Sequence, residues 1–442
     1  MVYARAKCWG SRGARPPAPR RGQTIGQCIS PFSVNNSRLL APTRPLERIV
    51  EGVPSHRGCR REAVGKPSGR DGVQHGWSTV KSAVGLAVGR GTGPELAAVF
   101  ERVVGEVARA YGREVDLVRS PRAYHSYVSL KAEGGIERVR ELTRADAEHY
   151  ERFCRSLAAA GVTAVFRTAI NAQSLYLVRQ RLRAVKVDPI GSGDASMLLV
   201  RDQAQGFYTG ENEHAPGTVT RTQTFSHAVT DEVVALALRR ARRQWPGREV
   251  GRVVMAYKFH LLDGALDAWV TEIAHRRGVR IELCQPDTVN RDLVEQGPAP
   301  RTVIVAGNEW GDIMHVILLD RFGSERQESR CTENVHLDPD VAGLVEYQTV
   351  HGSADDLAGR DTVNPLATVR AAAAIAERHV GCPGAVDAAE RALLAMRERG
   401  VGTPDAGGRH TTTAVVDAFL DAFADVFADV VATAGPTPVA GS

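Results

Sequence analysis

The stretch EYQTVHGSADDLAGRDTVNPLA at 346–367 gathers histidine, serine, glycine and aspartate into one polar loop that feeds a helix-forming run, ATVRAAAAIAERHV. Free backbone N–H groups at a helix start meet anionic or polar ligand atoms, so such a loop suits a nucleotide. A second polar stretch, VIVAGNEWGDIMHV at 303–316, reads as an apolar strand ending in a loop that carries Asn308 and Asp312. A third, GRGTGPE at 89–95, has Gly89, Gly91 and Gly93 before Pro94. Glycines there allow a phosphate to approach the backbone, but any strand-to-helix turn uses them for conformational reasons too. The seven cysteines (Cys8, Cys28, Cys59, Cys154, Cys284, Cys331, Cys382) are scattered and never paired as CxxC, which excludes a zinc cage or disulfide framework and leaves free thiols.

The elements that must hold these stretches alternate. Apolar runs at 83–88, 161–166, 195–200, 250–257 and 301–307 read as buried strands. DEVVALALRRARRQW (231–245) and DAWVTEIAHRRG (267–278) space their apolar residues three and four apart, as amphipathic helices do. Pro94 suits a helix first turn, where its missing N–H costs nothing. The expectation is an α/β chain with a largely parallel sheet.

Charge separates this body from what precedes it. Residues 1–80 hold 14 Lys and Arg against four Asp and Glu, net +10, so within a total of +5 the remaining residues are net −5. That first stretch, rich in Arg, Gly and Pro without a helix or strand period, is expected to be a disordered basic extension. A nucleic-acid-binding arm, an import peptide and a start-site artefact are the alternatives; few aromatics and short basic runs argue against nucleic acid as a partner, and Glu47, Glu51, Glu62 and the many Pro and Gly argue against a targeting helix. No window has the ~18 consecutive apolar residues that a membrane span needs. Together with the lack of a secretory signal this leads to the expectation of a cytoplasmic protein.

The collinear order of GRGTGPE (89–95), LRAVKV (182–187), VRDQAQGFYTGE (200–211), VVMAYKFH (253–260), PDTVNRDLV (286–294), GNEWGDI (307–313), HGSADDLAG (351–359), NP (364–365) and TPDAGG (403–408) resembles the isocitrate and 3-isopropylmalate dehydrogenase family, the β-decarboxylating dehydrogenases. The resemblance implies a large discontinuous α/β domain (81–185 and 301–442) that binds cofactor, a smaller α/β domain (186–300) for substrate and dimerisation, and a homodimer whose active site is shared. It implies NAD held by His351, Gly352, Ser353, Asp356 and Asn364. The acidic Asp356 favours NAD, because a carboxylate repels the 2′-phosphate of NADP.

For the chemistry, the resemblance makes Tyr208 and Lys258 the catalytic pair. A lysine near a polar site at a strand end can move a proton from the alcohol as hydride leaves, and a phenol can protonate an enol. Arg183 and Arg201 would clamp substrate carboxylates. Asp287, reaching across from the partner subunit, and Asp312 would hold Mg²⁺ or Mn²⁺.

Four positions depart from the family pattern. The third metal aspartate is Val316, the residue two after the catalytic lysine is His260, and the loop glutamate is Gln348. Ten residues before Arg183, where the first substrate arginine belongs, stands Gln173; either Arg179 replaces it or that arginine is absent. Losing an arginine and a metal carboxylate weakens recognition of a tricarboxylate and removes Lewis-acid help in β-decarboxylation. The resulting expectation is an NAD-dependent oxidation of a secondary alcohol in a malate-type 2-hydroxyacid, with or without decarboxylation. The alternatives are a phosphorylated or nucleotide alcohol oxidised without decarboxylation in a specialised biosynthetic pathway, and a non-catalytic regulatory subunit of the same family.

Overall fold

The computed structural model describes residues 81–191, 193–323 and 329–434. The basic extension expected at 1–80 lies outside them, as do Cys8, Cys28 and Cys59. In chain order the strands are β1 (Lys81–Gly89), β2 (Glu114–Tyr124), β3 (Ala164–Arg167), β4 (Ala184–Ile190), β5 (Met197–Asp202), β6 (Glu211–Ala215), β7 (Thr218–Thr222), β8 (Arg252–Ala256), β9 (Glu282–Cys284), β10 (Thr302–Ala306), β11 (Cys331–His336) and β12 (Val345–Thr349). The helices are α1 (Gly93–Ala110), α2 (Tyr127–Ala132), α3 (Ile136–Ala159), α4 (Ala172–Arg181), α5 (His227–Gln244), α6 (Ala265–Arg277), α7 (Pro286–Gln296), α8 (Asn308–Phe322), α9 (Leu366–Ile375), α10 (Ala385–Glu398) and α11 (Thr412–Ala434). Among the described residues no helix is long and apolar enough to cross a membrane.

Ten strands form one sheet in the order β2-β1-β3-β12-β11-β4-β5-β10-β8-β9, and β6 pairs only with β7. The long sheet is parallel except around β11 and β4, where β12–β11, β11–β4 and β4–β5 run antiparallel. Mixed pairing of this kind leaves most strands buried on both faces, which is why they read as continuous apolar runs. The 302–306 strand, grouped with the outer thirds of the body by the sequence division, instead sits between β5 and β8.

Alternation along each strand sends side chains to opposite faces. Val185, Leu198, Val253 and Val303 pack with α5 and α6, while Ile190, Leu199, Val254 and Ile304 pack with α7 and α8. At the other end, α1, α9, α10 and α11 enclose Phe100, Phe166 and Phe419. The rings of Phe100 and Phe166 stack at 4.2 Å; burying each such ring contributes roughly 1.5–3 kcal/mol. The four cysteines in the described residues (Cys154, Cys284, Cys331, Cys382) are free thiols, as the spacing predicts.

Candidate active site

A polar row crosses the middle of the sheet on the α8 side. Strand register sets Arg201 of β5 opposite Lys186 of β4, Lys186 opposite Asn334 of β11, and Asn334 opposite Glu346 of β12. Gln348 lies opposite Arg167 of β3 and Thr332 of β11. Arg167, Lys186, Asp188, Arg201, Glu346 and Gln348 are all buried. Charges in that position must be paired, and they are.

Glu346 accepts from Arg167 Nε (2.9 Å), Asn334 Nδ2 (2.8 Å) and Tyr150 Oη (2.6 Å). Burial works against its charge, but Arg167 and Arg179 outweigh that and hold it down at about 2. Asp188 lies 3.4 Å from Lys186 Nζ and 3.3 Å from His315 Nε2. Burial pushes His315 down to about 4, so it is neutral near pH 7.

Arg201 ends the row beside α8. Its Nε and Nη2 donate to Asn308 Oδ1 at 3.1 and 2.9 Å, and its Nη1 pairs with Asp312. Gly311 makes this possible, since a Cβ there would stand 2.8 Å from Arg201 Cγ. Asn308 and Asp312, expected in a loop, occupy the first turns of α8. A helix fixes their spacing and points both at Arg201, which a loop would not do.

Tyr208 sits in a 3-10 turn, 207–209, that is tied to α8 through Phe207 N donating to Glu309 Oε2 at 3.2 Å. Its hydroxyl donates to Asp312 at 3.3 Å, its ring stacks on Tyr176 at 4.9 Å, and the Arg201 guanidinium lies 5.5 Å from the ring centre. Burial first, and Asp312 second, push the phenol up to about 12. It is therefore protonated at neutral pH and able to give a proton. Burial tends to raise Asp312, but Arg201 and Lys186 hold it below the usual carboxylate range.

Of the two candidate substrate arginines besides Arg201, Arg179 belongs to this cluster. Its Nη2 donates to Gln348 Oε1 at 3.2 Å, while its buried Nε has no hydrogen-bond partner. Burial, then Arg167, lower it to about 10. Arg183 does not join: it pairs with Glu232 at 3.1 Å and lines a separate cleft with Gln205 and Thr209. Its neighbours on β4 have their side chains in the sheet, but Arg183 precedes the strand with φ 48°, which turns it out of the row. Arg167, Lys186 and Glu346 do not stand out in the sequence reading; for Lys186 and Glu346 the signal is polar residues at alternate positions within VKVDPI and VEYQT, and Arg167 has none beyond a charge at the end of the apolar run AVFR.

Lys258 is half-buried rather than buried, two residues beyond β8. Its Nζ donates to Gln285 Oε1 (3.0 Å) and Asp287 (2.6 Å) and lies 5.4 Å from the Trp310 ring centre. Lys258 lowers the exposed Asp287 by its hydrogen bond. In one chain no hydrogen bond or ion pair among the described residues joins this pair to Tyr208 and Asp312. His260 is exposed and, among the described residues, makes a T-shaped ring contact with Phe259, so it is neither a packed core histidine nor part of the cluster.

The residues fit a resident metal poorly within one chain. Among the described residues no three His, Cys, Asp or Glu converge to hold a metal. Asp312 is committed to Arg201, Asp287 to Lys258, and Val316 offers no ligand.

The candidate cofactor loop docks on the glycine loop. Thr92 N and Oγ1 both donate to Ser353 O at 2.9 Å, Ser126 Oγ donates to Asp355 at 2.7 Å, and Ser353 Oγ also bonds Asp355. Gly91 has φ +75°, and a Cβ there would lie 2.5 Å from Ser353 O, so only glycine lets the two loops meet. His351 Nδ1 contacts Gly352 O at 3.0 Å. Gly352 and Asp356 are exposed, and Asp356 offers its carboxylate to solvent at the loop tip. That arrangement fits a dinucleotide lacking a 2′-phosphate. Asn364 is placed otherwise: it donates to Asp405 (2.9 Å) and accepts from Leu366 N (3.0 Å), so it fastens the start of α9 instead of presenting itself to a ligand.

Comparison with known proteins bears on the family and the fold. Residues 165–419 match the isocitrate/isopropylmalate dehydrogenase family. The chain is 28% identical over 224 residues to a 3-isopropylmalate/3-methylmalate dehydrogenase of Methanocaldococcus jannaschii, covering 50% of this chain and 65% of that protein. With a 3-isopropylmalate dehydrogenase of Wolinella succinogenes it shares 24% over 357 residues, covering 74% and 92%. In fold it is similar to a β-decarboxylating dehydrogenase from Thermococcus kodakarensis (TM-score 0.54, 21% identity, 78% of this chain and 96% of that one). A second solved structure, isocitrate dehydrogenase from Methylococcus capsulatus, superposes with TM-score 0.55 at 19% identity, covering 77% and 99%. Enzymes of this family are oxidoreductases acting on CH–OH groups, with NAD and Mg²⁺ or Mn²⁺ as their cofactors. This chain belongs to the isocitrate/isopropylmalate dehydrogenase family.

Proposed function

We propose that the chain oxidises the secondary alcohol of a small malate-type 2-hydroxyacid with NAD. The observation that carries this reading is the cationic row ending at Tyr208. Arg179, Lys186 and Arg201 face one region with an unpartnered guanidinium N–H, and a protonated phenol stands at its edge. Guanidinium groups would bind the substrate carboxylates in forked fashion. NAD supplies the hydride acceptor when bound, with His351, Gly352, Ser353 and Asp356 toward its adenosine end. Lys258 would take the alcohol proton, and Tyr208 would return one to carbon should carbon dioxide leave.

The two proton-moving groups come together across a homodimer in this reading. Ile313, Val316 and Ile317 form an exposed apolar stripe on α8 at helical spacing, and Val294 of α7 is exposed too. The β6–β7 hairpin is almost wholly exposed and pairs with no other strand among the described residues. An isolated hairpin is marginally stable in water, so a second copy covering both features would stabilise them. That copy would bring its own Lys258 and Asp287 toward Asp312. Localisation to the cytoplasm is part of the same proposal and fits the free thiols.

Val316 favours a second reading, oxidation without decarboxylation of an alcohol that carries phosphate or a nucleotide, because a carboxylate ligand is missing where Lewis-acid help is most needed. The test is NADH formation by the purified chain with malate, tartrate, isocitrate, isopropylmalate and phosphorylated alcohols, each with Mg²⁺ and with chelator. Metal-dependent turnover of a 2-hydroxyacid, abolished in Lys258→Met and Tyr208→Phe dimers, is the expected result. Turnover of a phosphorylated alcohol that survives chelation selects the second reading. Full activity in Lys258→Met overturns the mechanism, and silence across the panel in a chain that still binds NAD points to a regulatory subunit.

A further inference from the structure

A crevice of about 180 Å³ opens on the opposite face of the sheet from the polar row. Strand alternation places it there. On β4, Lys186 and Asp188 face α8 while Val187 and Pro189 line the crevice; on β11, Thr332 and Asn334 join the polar row while Cys331 and Glu333 line the crevice. Helices α9 and α10 form the other wall. Nothing in the proposed chemistry uses this space.

Its charge is unbalanced. Arg240 and Arg378 both pair with the single carboxylate of Glu333. Arg370 is bidentate to Glu390 at 2.7 and 2.9 Å. Arg330 donates through Nη2 to Pro189 O at 2.5 Å, but its Nε is buried without a hydrogen-bond partner, and no carboxylate among the described residues pairs with it. Among the described residues that line the crevice, three guanidinium groups (Arg330, Arg370 and Arg378) thus face two carboxylates, Glu333 and Glu390, and Arg240 draws on Glu333 as well. Burial, then Arg240, lower Arg378, although its side chain is still 43% exposed; the Arg370 and Arg240 side chains, 13% and 16% exposed, are the more enclosed cations. Grouped buried cations are costly unless an anion joins them.

We infer that this crevice is a binding site for a small, doubly charged oxyanion, a phosphate or a short dicarboxylate. The crevice, about 180 Å³ and open at its mouth, has room for either. Planar guanidinium forks match the oxygens of both. The bound anion would tie α9 to β11 and β4. The segment between β12 and α9 is the candidate cofactor loop, and the two elements that flank it both line the crevice.

The probes are inorganic phosphate and malonate, titrated calorimetrically into the full chain at constant ionic strength set with chloride. Because Arg179 and Arg201 also attract anions, the titrations are made in a background that carries both Arg179→Gln and Arg201→Gln, where the crevice should remain. Expected is one saturable site for at least one probe, weakened about tenfold or more by adding Arg330→Gln. Val386→Glu keeps every arginine but sets a carboxylate in the crevice, and it should abolish binding without loss of the folded circular dichroism signal. Phosphate outbinding malonate, or the reverse, identifies the class of anion. No saturable binding in that double-variant background, or binding there unchanged by both Arg330→Gln and Val386→Glu, overturns the inference. The outcome is independent of turnover, so it stands or falls separately from the proposed dehydrogenase activity.

Discussion

Replacing Glu346 by glutamine keeps the shape of the polar row and removes its central charge. Arg167 is 3% exposed and donates to Glu346 at 2.9 Å; the glutamine oxygen can still accept that bond, but the guanidinium charge is left uncompensated. Breaking a buried pair by removing one partner costs about 3–5 kcal/mol. For a folded body of about 350 residues, with an unfolding entropy near 2.1 cal/mol/K per residue, that corresponds to a midpoint lowered by roughly 4–7 °C. The pH dependence carries a sign. Glu346 is held at about 2, below its ordinary 4.5, so its stabilisation is complete above pH 4.5 and is lost as pH falls through about 2. Urea unfolding of both proteins, followed by circular dichroism at pH 7 and pH 5, should therefore give the same difference. A difference below about 1 kcal/mol, or one that shrinks markedly between pH 7 and 5, would refute the view that Glu346 is the anionic keystone of this row.

Three further outcomes follow from the geometry. Gly91→Ala puts a Cβ 2.5 Å from Ser353 O at φ +75°, so stability should drop by about 1–3 kcal/mol and NAD affinity, measured by fluorescence titration, should fall with it; unchanged affinity would detach this loop from cofactor binding. His315 is held at about 4, below its ordinary 6.5, so its stabilisation is present above pH 6.5 and is lost as pH falls toward 4, by about 3 kcal/mol. His315→Gln should flatten that part of the urea-unfolding profile relative to the wild type, and parallel profiles would mean the histidine titrates freely. Asp356→Lys exchanges repulsion for attraction toward a 2′-phosphate and should shift the ratio of kcat/KM values from NAD toward NADP; an unaltered ratio would show that the loop tip does not meet the adenine ribose.

Much of the architecture was legible in the chain itself, because burial on both faces of a mostly parallel sheet writes strands as apolar runs and their covering helices as three-and-four spacing. Arg201, Tyr208 and Asp312 gain their roles only through the resemblance of VRDQAQGFYTGE and GNEWGDI to the family, and that they meet one another was not legible. Tertiary structure decided the rest. Arg183 and Arg179 are four residues apart with the same chemistry, yet α4 turns Arg179 toward Gln348 while a left-handed backbone at Arg183 sends it to Glu232. Lys186, Glu346 and Arg167 belong to one site only because three strands distant in sequence come into register. Local periodicity reports which face of an element a side chain takes. It carries no information about which other strand will lie beside it, and that pairing is what turns scattered buried charges into a compensated row with one guanidinium left for a ligand.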